Sequence, residues 1–299
     1  MRAGLPPVRS FPDEPMLTIL IDGVAYGMVL FILAVGLSVT LGLMNFVNLA
    51  HGAFAMAGGY ATVVLTARAG VPFFAALPLA FLATAAIGVV LERTLYRRLY
   101  DRPHLDQVLF SIGLVYMAIA AVDWLMGSQQ QFVVLPEVLQ GRAEILGVPV
   151  GRYRLFIILL CGVLVLALQS VLSGSRFGSR LRASVDDARV ARGLGISVNR
   201  VFAITFAAGS GLAGLGGALG AEILGLDPTF PLKFMIYFLI VVTVGGTSSI
   251  AGPFLAALLL GIADVAGKYY VPQFGAFIVY VLMIVVLLIR PQGLFARGR

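Results

Sequence analysis

Charge is scarce in this chain. Only 12% of its 299 residues are Asp, Glu, Lys or Arg, against about 25% in a soluble domain, which excludes an ordinary water-soluble globule. Cysteine is nearly absent too. Cys161 stands alone inside an apolar run, so neither an internal disulfide framework nor a cysteine metal site can form. Histidine is limited to His51 and His104, and lysine to Lys233 and Lys268. Asp22, Asp123, Glu222 and Asp264 are scattered over separate apolar segments, with no paired-carboxylate, His-rich or Ser–His motif. The glycine-rich VGGTSSIAGP, Val244 to Pro253, lacks the lysine and spacing of a phosphate loop. The sequence therefore leads us to expect no enzyme, no cofactor, no metal and no nucleotide site within the chain.

What it has instead is oil. Hydrophobic residues make up 60% of the chain, and mean hydropathy is +1.00. Apolar runs fall near residues 16–43, 44–67, 73–91, 106–126, 153–172, 201–225, 232–250, 253–270 and 273–290. At about 20 residues per crossing, the expectation is an all-α polytopic bundle of about eight spans, some broken or re-entrant. Residues 1–15 carry four prolines and read as a tail, residues 16–290 as the membrane domain, and 291–299 as a second tail. There is no solenoid period. The pI of 9.9 does not point to nucleic acid, because the basic residues sit in short loops between apolar runs.

Those loops orient the chain. The segment 173–200 holds six arginines, Arg176, Arg180, Arg182, Arg189, Arg192 and Arg200, against Asp186 and Asp187. Arg93, Arg97, Arg98 and Arg102 mark a second loop, and Arg290, Arg297 and Arg299 the C-terminal end. Cationic loops stay in the cytoplasm, so these three regions are expected inside, in the cell membrane. Parity over three preceding spans then puts the N-terminus outside. Within 173–200, Ala188, Val190, Ala191 and Leu194 can share one apolar helical stripe that Gly193 and Gly195 terminate. A short amphipathic helix on the inner face has the shape of a docking element, and equally of a solvated loop.

Polar atoms inside the oil are the other signal. In MNFVNLAHGAFAMAGGYA, Met44 to Ala61, Asn45, Asn48 and His51 recur every three residues along one helical side. Gly52, Gly58 and Gly59 follow and allow close approach or a break. Polar side chains at membrane depth are tolerated only when buried in protein or beside a wet cavity. Permeation-path lining is the functional reading, and interhelical hydrogen bonding the bland one. The second break, Gly245, Gly246, Thr247 and Ser248, reads as a turn or re-entrant loop on the path. Gly209, Ala213, Gly217 and Ala221 recur every four residues, a small-residue face for close helix packing. Asp264 and Lys268 form an i, i+4 pair in the favourable order, read as a structural ion pair near the outer interface.

Taken together, these blocks resemble the membrane permease subunits of ATP-binding-cassette importers for branched-chain amino acids, most closely the shorter, high-affinity leucine, isoleucine and valine type. The similarity runs from about Gly23 to Phe295. It rests on MNFVNLAHGAFAMAGGY, ERTLYRRLYDR, RLRASVDDARVARGLGISVNRVF, LDPTFPLK, VGGTSSIAGP and LIRPQGLF. Thr247–Ser248 and Arg98 depart from the usual pattern. The resemblance implies that Asp187, Ala188, Ala191, Arg192, Gly193, Leu194, Gly195 and Ile196 dock on an ATP-binding subunit. It also implies the partners: two ATP-binding subunits, a second and longer permease, and a periplasmic or surface-tethered solute-binding protein, with lipid around the bundle. Urea or short amides are alternative solutes within the same family. A self-contained secondary carrier is the alternative outside it.

Overall fold

The computed structural model describes residues 14–44, 46, 48–100, 102–145, 147–246, 249–290 and 293–294. Helix α1 (Glu14–Met44) is followed after a break by α2 (His51–Val63), which ends in a π-helical turn over Val64–Arg68. Next come α3 (Phe73–Thr94) and α4 (His104–Met126). A segment with strands β1 (Arg142–Ile145) and β2 (Val148–Gly151) leads into α5 (Arg152–Gly174). Two short helices follow, α6 (Arg176–Asp186) and α7 (Ala188–Gly193). The chain closes with α8 (Val198–Leu224), α9 (Phe230–Gly245), α10 (Ala251–Tyr270) and α11 (Gly275–Ile289).

Six of these helices, α1, α3, α4, α5, α8 and α10, are long and apolar enough to cross a bilayer. Helix α9 and most of α11 are apolar but shorter. The result is an all-α, multi-pass membrane bundle. One feature departs from the expectation. The loop over 127–152 holds an antiparallel hairpin in which Arg142 pairs Gly151 and Ile145 pairs Val148. Val148 and Val150 are buried while Pro149 between them is exposed, so the ladder lies half on the bundle.

Small residues decide how the helices meet. A Cβ on Gly23 would stand 2.6 Å from the Ile262 backbone, and one on Gly27 would stand 2.9 Å from that of Leu258. Rising numbers on α1 thus meet falling numbers on α10, and the two run antiparallel with backbones in contact. Along α1 against α8 the same reversal appears, as Gly36 meets Gly209 and Leu33 meets Gly216. Helix α3 reaches α8 through Gly88 against Ser210, and Thr84 against Gly214. Ala213 and Ala221 are fully buried on α8. Without a hydrophobic drive between helices in lipid, such close approach supplies the packing energy.

These directions give the bundle two distinct ends. One carries the start of α1 and the ends of α8 and α10, with the hairpin. Its backbone link Gln131 N–H to Leu226 O, 2.7 Å, ties the hairpin segment to the α8–α9 connection. All three ion pairs among the described residues lie there: Asp22 with Arg154 at 2.9 Å, Asp227 with Lys233, and Asp264 with Lys268 at 2.5 Å. The opposite end carries the arginine-rich turn after α3, helices α6 and α7, and the start of α10. Leu294 returns to it, donating its N–H to Val244 O at 2.8 Å.

Candidate functional site

The break between α1 and α2 is built from a few hydrogen bonds. Asn45 lies outside the described residues. Asn48 Oδ1 accepts from the Tyr96 hydroxyl at 3.0 Å and from the Ala50 N–H at 3.1 Å. One residue on, Leu49 N–H donates to Ser111 Oγ at 3.2 Å, which brings α4 to the same point. His51 Nε2 sits 2.8 Å from Leu33 O. A carbonyl only accepts, so this nitrogen carries the proton. The ring fits because position 36 is glycine, where a Cβ would lie 2.5 Å from His51 Cε1.

Asn48 and His51 are therefore buried and satisfied within the chain, at 1% and 2% exposure. Their neighbours are apolar: Tyr96 is enclosed by Phe46, Phe110 and Phe206 at ring distances of 4.7–5.4 Å. The three glycines that follow are contact points. Gly52 abuts Pro231 of α9, Gly58 abuts Gly214 of α8, and Gly59 abuts Leu226. Tyr96 and Ser111 complete this arrangement. Sequence reading assigned them no role, since a tyrosine in TLYRR and a serine in an apolar run carry no distinguishing spacing. Just beyond the α3 end, burial and then the Glu92 carboxylate push the Tyr100 phenol far above its usual value, so it stays a donor to Glu92 Oε1 at 3.1 Å.

The second break follows α9. Gly245 packs against the backbone at Pro253, and Gly246 has φ +81°, a left-handed conformation that glycine adopts without steric cost. Thr247 and Ser248 lie outside the described residues. Gly293 closes over Gly246, so the final described residues staple this break. The two segments meet different neighbours, and α2 touches α9 between them, where Gly52 abuts Pro231 and the His51 and Phe238 rings stand 6.4 Å apart.

Below the bundle, α6 and α7 form a cationic ledge. The Ser175 hydroxyl caps α6 by accepting from Gly178 N–H at 3.2 Å. Asp187 then ends α6 and caps α7, accepting from Arg189 N–H at 2.8 Å and Val190 N–H at 2.9 Å. After Gly193 the chain turns at Gly195, φ +80°, and Ile196 N–H returns to Ala191 O at 3.0 Å. The stripe read from sequence divides in two. Ala191 faces the bundle at 1% exposure, whereas Val190 and Leu194 stand 57% and 76% exposed. Ala188 is half-buried.

Long apolar helices packed through glycine, with a cationic ledge at one end, define a multi-pass membrane protein. The chain belongs to the family described as branched-chain amino acid transport system, permease component, which matches residues 19–287. It is similar to the high-affinity branched-chain amino acid transport system permease protein BraD of Pseudomonas aeruginosa, with 29% identity over 93% of this chain and 95% of that protein. The permease protein LivH of Escherichia coli K12 is 27% identical over 92% of this chain and 94% of its own length. The permease protein LivM of the same organism is 24% identical and is covered over only 70% of its length. No solved structure matches the chain.

Proposed function

We propose that this chain is one of two transmembrane subunits of an ATP-driven importer that carries branched-chain amino acids into the cytoplasm. It hydrolyses no ATP itself. Two ATP-binding subunits dock from the cytoplasm, a longer permease pairs with it in the membrane, and a solute-binding protein delivers cargo to the outer end. The arginine-rich end is cytoplasmic together with the C-terminus, and the hairpin end and N-terminus are outside. In this reading α2 with its π turn, α9 and α11 cross alongside the six long helices. The breaks at Asn45–Gly52 and Gly245–Ser248 flank the solute path, with Asn48 and His51 holding the first in shape.

One observation carries this reading: Val190 and Leu194, on and just after a cap-defined helix at the cationic end, are 57% and 76% exposed among the described residues. Exposed apolar residues on a rigid, charged ledge suit a protein cleft better than water. The test is uptake by the complete complex reconstituted in vesicles. Leucine uptake should require ATP and the binding protein. Leu194→Asp should abolish it while the permease still assembles, because a charge forced into a packed interface is costly. Wild-type uptake by an assembled Leu194→Asp complex would overturn the docking assignment, and ion-driven uptake by the chain alone would overturn the importer reading.

A further inference from the structure

One polar cluster at the outer end plays no part in the breaks or the ledge. Asp264 lies on α10, where Gly261 lets α10 touch the α1 backbone at Gly23 and Gly27. Its side chain is only 2% exposed, although it is a carboxylate inside an apolar span. One oxygen, Oδ2, meets Lys268 Nζ at 2.5 Å. The other, Oδ1, is buried with no hydrogen-bond partner among the described residues. Lys268 itself is 54% exposed, and its Nζ stands 5.7 Å from the centre of the Tyr26 ring. Tyr237 of α9 and Tyr280 of α11 complete the surroundings, within electrostatic range of Tyr26 and of each other.

This is the chemistry of an ammonium site: a desolvated carboxylate beside an aromatic face. A structural ion pair would satisfy both oxygens or leave the spare one in water, since an unpaired buried acceptor is costly. Here one oxygen is buried beyond the reach of the lysine, while the ammonium filling the site comes on a half-exposed tether. A hard metal ion is a poor fit, because it seeks six or more oxygen ligands, and a lysine already supplies the charge.

We propose that Asp264 and Tyr26 form an ammonium-binding site, occupied in this structure by the chain's own Lys268, which yields it to the α-ammonium group of an arriving amino acid. The proposal rests on the reading of this chain as an amino-acid permease. Lys268 acts as a tethered competitor. It keeps the site charge-balanced when empty and lowers the apparent affinity for solute by the fraction of time it occupies the site.

The test uses the full-length chain in detergent with three probes: leucine, leucinol (ammonium but no carboxylate) and 4-methylpentanoate (carboxylate but no ammonium). Lys268→Met removes the competitor, so leucinol and leucine should bind tighter, about tenfold if Lys268 fills the site nine-tenths of the time. 4-Methylpentanoate should not follow. The double variant Asp264→Asn/Lys268→Met strands no charge and should lose leucinol binding. Leucinol binding unchanged in the double variant would overturn the site, as would Lys268→Met binding leucinol no better than wild type. If Lys268→Met does not fold, wild type against the double variant decides alone. Leucine uptake by the wild-type complex is measured separately: its absence removes the substrate reading, whereas its presence with unaltered leucinol binding in both variants removes only this site.

Discussion

At the scale of single residues, the polar side chains sunk in the bundle divide by what they hold. Asn48 receives two donors, the Tyr96 hydroxyl and the Ala50 N–H. Asn48→Ala should lower the stability of the purified chain by about 3 kcal/mol, because each buried donor left unpaired costs on the order of 1–3 kcal/mol. Tyr96→Phe removes one hydrogen bond and strands nothing in Asn48 that Ala50 does not still satisfy, so about 1 kcal/mol is expected. Denaturation in mixed micelles gives both values, and equal losses would contradict this account of the break. Asp227, in the α8–α9 connection, behaves differently. Burial pushes its carboxyl up, but the hydrogen bonds from Lys233 and Thr229 outweigh that and hold it below the usual value. A depressed folded value means stabilisation that is present at neutral pH. It is lost as pH falls below the ordinary aspartate value of about 3.9 and through the lower folded one. Melting curves between neutrality and acid should show that loss in wild type and a smaller one in Asp227→Asn.

At the scale of elements, glycine marks two kinds of place. A Cβ at Gly217 would collide with the Ala55 backbone and one at Gly58 with that of Gly214, so Ala at either position must push α2 off α8. Overpacking of this kind costs about 1–3 kcal/mol or more, and here the obstacle is backbone, which cannot rotate away. Gly113 on α4 and Gly162 on α5 have nothing within 4 Å. Alanine there should be neutral or stabilising by up to about 1 kcal/mol, the helix-propensity gain. Thermal stability of the four variants checks the division. The i, i+4 spacing from Gly209 to Ala221 was legible in sequence as a packing face. Which helices that face would touch was not, because the pattern names no partner. The ledge shows the same limit. The stripe from Ala188 to Leu194 announced an amphipathic helix, but the tertiary fold turned Ala191 inward and left Val190 and Leu194 outward. Ala191→Arg should therefore damage the permease itself, measured as lost assembly, while Leu194→Asp should spare assembly and remove uptake.

For the whole molecule, orientation has a direct check in composition. Lys233 and Lys268 are the only lysines, both lie at the hairpin end, and their side chains are 56% and 54% exposed. An amine reagent that cannot cross membranes should label both from outside intact cells, read by peptide mass, and neither in sealed inside-out vesicles. The opposite pattern would invert the topology. Sequence by itself determined that this chain is a multi-pass membrane protein, that its arginine-rich loops gather at one end, and the family to which it belongs. Each of these follows from a local signal: apolar length, arginine clusters, and motif blocks at their proper separation. Only tertiary structure decided which spans form the core. Helices α1 and α4 have similar hydropathy over their most apolar stretches, 2.3 and 2.0, yet 89% of one stretch is buried and 11% of the other. Lipid tails are as apolar as leucine, so hydropathy carries no record of whether a helix faces protein or lipid. That distinction is made by glycines meeting across α1, α8 and α10, contacts between residues far apart in the chain.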